Sequence, residues 1–277
     1  MLKNTLLLIL FVLSSSISAQ KIDKSKEELK SGKKEEKPPL PTQSQNQNTT
    51  STRESNFDSG ETSLFFEILF FVPFYGGIGD YENEDHLYNK LSPYPYFNNK
   101  SGNYVEFSED SIAKNQVRFD VENHFLYSNN AAFGNHFKGK FRLFHYLYLQ
   151  SDYRELIERD KFSKTTSNLS LFQFNLGYDR LRFEKFNLGW TLGATYIASG
   201  INKAGFSYGL NTEVFPFKKV SFNSAMIWSK INGLPVNSFE FRGKYHQKNY
   251  FFSMGYENLK IASPSYNYAT FGAGIYF

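Results

Sequence analysis

The chain has 277 residues, with 30 Phe and 19 Tyr and no Cys, so disulfides, a cysteine-borne lipid anchor and a cysteine-based zinc site are all excluded. Its 31 basic and 27 acidic residues leave a net charge of only +4. A mean hydropathy of -0.47 beside so many aromatics describes a protein that segregates its apolar rings from an otherwise polar sequence.

The opening MLKNTLLLILFVLSSSISAQ has a single Lys, an apolar run from Leu6 to Leu13 and small residues up to Ala19. It reads as a secretory signal peptide over residues 1–19, too short in its apolar part to be a comfortable membrane span. Residues 20–60 are rich in Lys, Glu, Pro, Gln, Asn, Ser and Thr. So little apolar surface cannot offset the entropy of ordering, and a disordered periplasmic linker is expected, locally extended at Glu35–Pro41. Its positive and negative charges nearly cancel, which argues against a nucleic-acid-binding arm and leaves a spacer or a tether for a protein partner.

From residue 61 to 277 the pattern changes to alternation at period two. The nearly continuous SLFFEILFFVPF, Ser63–Phe74, is the expected first strand. In the next, Val117, Phe119, Val121, Phe125 and Tyr127 share one face, with Arg118, Asp120, Glu122 and His124 on the other. Phe137, Phe141 and Leu143 then oppose His136, Lys138, Lys140 and Arg142, and the same split recurs in strands around Phe174, Trp190, Tyr208, Met226, Phe241 and Phe252. Segments of about ten to thirteen residues are nearer the length that crosses a bilayer at a tilt than the length usual in soluble sheets. Aromatic enrichment near strand ends suits the girdles of a membrane barrel. The predicted fold is all-β, an antiparallel up-and-down transmembrane barrel of ten strands, with eight as the alternative.

Short connections are read at Ser128–Asn130, Phe183–Asn187, Pro216–Lys219 and Gln247–Asn249, and longer ones at Tyr75–Asn115 and Ser151–Ser167. With short turns facing the periplasm, both termini are expected there. The last residues, FGAGIYF, resemble the C-terminal targeting strand of bacterial outer-membrane β-barrel proteins, with Phe277 terminal and Ile275, Ala273 and Phe271 two, four and six places before it. The resemblance implies insertion into outer-membrane lipid by the barrel-assembly machinery and closure of this last strand against the first. It does not point to one subfamily.

The inward face is expected to hold Arg118, Asp120, Glu122, Lys138, Lys140, Arg142, Asp179, Glu213, Glu240, Arg242, Lys244 and Glu257. Interleaved signs predict an ion-paired plug, whereas a selective pore would show rings of one sign. Tyr88, Tyr94, Tyr96 and Phe97, on the presumed outer loop, suit either a contact surface or a cap over the barrel mouth. Asp80, Glu82, Glu84 and Asp85 beside His86 are the one hydrolytic candidate, weighed against a plain solvated acidic loop. No nucleophile elbow or zinc-protease motif is present, and no cofactor is expected. The expected role is a structural or accessory subunit of an envelope complex, with a narrow channel or a surface hydrolase as alternatives.

Overall fold

The structure is a computed structural model and describes residues 21–32, 76–106, 117–160 and 164–277. The expected signal peptide and the apolar segment Ser63–Phe74 lie outside these residues.

Ten strands form the body: β3 (Arg118–Asn129), β4 (Ala132–Arg142), β5 (Leu147–Arg159), β6 (Thr166–Arg182), β7 (Phe186–Ile197), β8 (Lys203–Phe217), β9 (Val220–Ile231), β10 (Leu234–Gln247), β11 (Tyr250–Ile261) and β12 (Ser265–Tyr276). Each pairs antiparallel with its sequence neighbour, and β12 pairs with β3 to close the barrel. Closure leaves no sheet edge, the condition for a β-structure in hydrocarbon. Among the described residues no helix is long and apolar enough to cross a membrane.

Because side chains alternate along a strand, one register sorts the whole sequence. Phe174, Phe206, Phe252 and Met254 point outward and are 59–65% exposed, while Asp179, Arg242 and Glu257 point inward and are fully buried. That is the reverse of a soluble sandwich, and it marks a barrel whose outer surface meets lipid. Tight connections follow local chemistry: the β9–β10 hairpin turns on Asn232–Gly233, with φ of 54° and 76°, the two left-handed residues its turn type requires.

The strands differ from the sequence reading in two places. β5 was expected to be largely loop from Ser151 onward. Its outward face carries Ser151 and Glu155 while its inward face carries Gln150, Asp152, Arg154 and Glu158, so charge on both faces hides the alternation. The closing partner of β12 is β3, and Ser63–Phe74 is not needed to complete the barrel. These two differences offset one another, and the strand number is ten.

They also move two connections. The barrel has a near mouth, where β3 begins and Phe277 ends, and a far mouth. The β3–β4 turn at Asn130–Ala131, expected beside the Phe183–Asn187 turn, lies at the far mouth. Residues 85–106, which fall within the expected outer loop, pack at the near mouth. There β1 (Lys90–Leu91) and β2 (Tyr104–Val105) form a two-stranded ribbon.

A second correction concerns the linker. Lys21–Ser31 is a helix, α1, seated in the far mouth with Ile22, Ser25 and Leu29 buried. The residues just after the expected cleavage site therefore sit at the mouth opposite Phe277, not on its side as anticipated.

Candidate functional site

The lumen is the chemically distinctive region. All twelve residues assigned to it from sequence project inward, and all but the half-buried Lys140 are buried. Strands β4, β5, β10 and β11 supply its central layer. Arg154 donates through Nε to Glu257 at 2.6 Å, through Nη1 to Gln173 at 2.6 Å and through Nη2 to Glu240. Arg242 donates to Glu240 at 2.5 Å and Glu257 at 2.8 Å, and Lys138 donates to Glu240 at 2.7 Å. His136 lies between Glu257, 3.0 Å from Nδ1, and Asp152, 2.9 Å from Nε2. Three carboxylates thus face three permanent cations and one imidazole.

Toward the near mouth Lys244 bonds Glu122 at 2.9 Å, and Glu122 also reaches His124 at 3.0 Å. Arg118 makes a bidentate pair with Asp120 at 2.7 and 3.0 Å, and Arg142 meets Asp179 at 2.5 Å. Lys140 places its ammonium over the Tyr148 ring, 4.5 Å from the centroid. Tyr148 has room to lie across the lumen because residue 177 is glycine; a Cβ there would overlap the ring. The gap between these layers, bounded by Asn103, Lys140, Asn211 and Tyr276, is a cavity of about 20 Å³, enough for one water.

Removing so many charges from water costs several kcal/mol per ion, which only mutual pairing and full hydrogen bonding can offset. The layers meet most of that demand, leaving Arg142 Nε, Asp179 Oδ1 and Arg242 Nε as buried atoms without a hydrogen-bond partner. His136, Glu240 and Glu257 bring ligand-type atoms within 4.8 Å of one another. Arg154, Arg242 and Lys138 already occupy those carboxylates, so the cluster is built for ion pairing and not for a cation.

Both mouths are covered. At the near mouth Tyr104 enters the lumen and donates to Asp179, while Asn103 donates to Glu213 at 2.9 Å and accepts from Arg118 at 3.0 Å. Burial and the Asp179 carboxylate hold the Tyr104 hydroxyl well above its ordinary pKa, so it remains a neutral donor. Tyr96 donates to the Phe217 carbonyl at 2.7 Å and lies against Phe215 and His246. Tyr94 and Phe97 pack edge to face at 5.1 Å, both half-buried, and Tyr88 is the exposed member at 48%. Of the four aromatics proposed as a contact surface, Tyr96 serves as part of the cap.

At the far mouth α1 rests on an inward apolar ring that includes Leu126, Leu156, Leu169, Ile197, Ile231 and Ile261. Glu158 accepts from the Ile22 amide at 2.9 Å, and Ser25 donates to the Ile261 carbonyl at 2.9 Å and lies 2.7 Å from the Tyr266 hydroxyl. Ser263 donates to both Glu28 oxygens, at 2.8 and 2.6 Å.

The residues of the hydrolytic candidate have these local contacts. Asp80 accepts from the Glu82 amide and the Asn83 side chain, and its own amide donates to Glu84 at 2.8 Å. His86 stacks on Phe183 with ring centroids 4.4 Å apart. The residues that the sequence reading missed are Asp152, Arg154 and Glu158, all on the unrecognised β5, with His136 noted on the polar face but not assigned a role.

No protein-family model and no curated protein matches the chain. Among solved structures it is similar to the outer membrane protein Ail of Yersinia pestis, with 12% identity, a TM-score of 0.34, and coverage of 58% of this chain and 100% of Ail. It is also similar to an outer membrane channel of Pseudomonas putida, at 9% identity and a TM-score of 0.33, covering 62% of this chain and 100% of that one. The KdgM porin gives 9% identity and a TM-score of 0.34, covering 58% and 99% respectively. Identities this low leave function to be read from the chain's own lumen and surface.

Proposed function

We propose that this protein is a closed outer-membrane barrel that works through contacts, as a structural or accessory subunit of an envelope complex, and not by passing solutes. The observation that carries this is the lumen: buried charges paired with one another cross it in layers, and the cavity they bound toward the near mouth measures about 20 Å³. Charge-selective pores are lined by rings of one sign, and the interleaved signs of this lumen do not form such a ring. The outward aromatic and aliphatic face supports residence in a bilayer, and the signal-peptide-like leader with the FGAGIYF terminus supports the outer membrane in particular.

In planar bilayers the wild-type protein is expected to give flat current traces at all moderate voltages. Discrete openings would refute the closed-barrel reading and install a channel in its place. Extraction from native membranes in mild detergent is expected to yield a particle heavier than one barrel with its micelle. A lone barrel would count against the subunit role.

The near mouth is assigned to the periplasm, because the C-terminal strand that ends there resembles a periplasmic targeting signal. The absence of native Cys makes this directly measurable. Lys219→Cys should resist a membrane-impermeant maleimide in intact cells, while Lys26→Cys on α1 should react. The opposite pattern would invert the barrel.

A further inference from the structure

The interior of this barrel changes character along its axis. From the near mouth to the Glu240–Glu257 layer it is charged, yet at the far mouth the inward positions become Leu126, Leu156, Leu169, Leu171, Ile197, Ile231 and Ile261, each no more than 1% exposed. An aliphatic ring facing the lumen of a water-bounded mouth is unfavourable unless something apolar covers it. What covers it is α1, which contributes no ladder hydrogen bond to the sheet and touches the barrel only through side chains and its own ends.

The seat is specific as well as apolar. Ile22 and Leu29, seven residues apart, supply the two aliphatic anchors on one face, and Ser25 between them is small enough to approach the sheet and bond both Ile261 and Tyr266. Glu158, only 4% exposed, accepts from the Ile22 amide, a carboxylate placed at the positive end of the helix. At the other end Asn232 donates to the Leu29 carbonyl at 2.5 Å, satisfying one of the orphan acceptors of the last turn. A buried carboxylate, an apolar ring and a C-terminal donor are together a recognition site for a short helix of defined direction.

We propose that the far mouth is a helix-binding site, filled in cis by α1 and able to take the same helix in trans from a second copy of the chain. The ligand is an amphipathic helical peptide with aliphatic residues at its second and ninth positions, a serine at its fifth and an acid at its eighth, as in KIDKSKEELKS. The site is separate from the charged layers, so its occupancy and the conductance of the lumen are independent questions.

The test uses the full chain with a specific protease site inserted between Gln43 and Asn48, folded in vesicles and then nicked. A fluorescent peptide of residues 20–32 is added and its anisotropy followed, with protein-free vesicles as the control for membrane binding. Saturable binding to nicked protein is expected, with much weaker binding to the uncut chain, where the tethered helix competes at high effective concentration. A peptide carrying Leu29→Asp should bind at least about tenfold more weakly, given the apolar burial it forfeits. Uncut protein bearing Leu29→Asp vacates the seat without cleavage and should bind the wild-type peptide better than its parent does. Binding by neither protein, or equal binding of the two peptides, would overturn the proposal.

Discussion

At the near mouth Tyr104, Asn103 and Ser92 enter the barrel as polar groups and join its charges, whereas at the far mouth Ile22 and Leu29 enter as aliphatic groups and displace water from an apolar ring. The first closure is wired into the interior: withdrawing it would leave Asp179, Arg118 and Glu213 short of partners in a low-dielectric space. The second is bounded: α1 can leave as a unit with every strand ladder and ion pair intact. The two covers thus differ in what they are coupled to.

The largest effect is expected in the layers to which the near-mouth cover is joined. Arg242→Leu leaves Glu240 and Glu257 each short of a charge-assisted bond, and unfolding in urea should lose about 3–5 kcal/mol, the usual cost of breaking a buried pair from one side. A loss below about 1 kcal/mol would mean that the network carries little of the stability.

Next is Tyr104→Phe, which keeps the ring but removes the donor to Asp179. Global stability should fall by about 1–3 kcal/mol, the penalty of one under-satisfied buried acceptor. Ser25→Ala, which removes the α1 hydroxyl from Ile261 and Tyr266, should instead leave global unfolding unchanged. Its effect, about 0.5–1.5 kcal/mol in seating of the helix, should show as faster proteolysis within residues 21–32. If Ser25→Ala shifted global unfolding as much as Tyr104→Phe does, the distinction between the two mouths would collapse.

The smallest expected effect is one of pH. Hydrogen bonds from the Ser263 side chain and backbone hold the Glu28 carboxyl below its usual range. A depressed pKa means that the contribution is present above the ordinary glutamate value and is lost as the pH falls through the folded one. Proteolytic exposure of α1 should therefore rise on acidification, and Glu28→Gln should flatten that rise; an unchanged acid response in the variant would assign it to another group.

Much of this was legible in the sequence because a membrane barrel writes its two faces in alternating letters. Wherever one face was uniformly aromatic or aliphatic, as along Phe172–Tyr178 or Tyr250–Tyr256, strand and orientation could be read directly. β5 escaped because Ser151 and Glu155 face outward among Leu149, Tyr153 and Ile157, breaking the contrast between faces. Missing it concealed Asp152 and Arg154, the residues that tie β5 into the central layer. Helix α1 escaped for a different reason. Two aliphatic anchors in eleven residues fall below any compositional threshold for order, and only the complementary ring on distant strands makes them sufficient. Long-range complementarity of that kind has no local signature.

The seam between β12 and β3 carries a consequence for timing. Phe277, the final residue, both donates to and accepts from Phe119, at 2.9 and 3.0 Å. The cylinder is therefore sealed by pairing its first and last strands, with the eight strands β4 to β11 lying between them in sequence. Closure is thus the least local contact of the sheet, and the loop-closure entropy it must overcome makes it a slow step of folding.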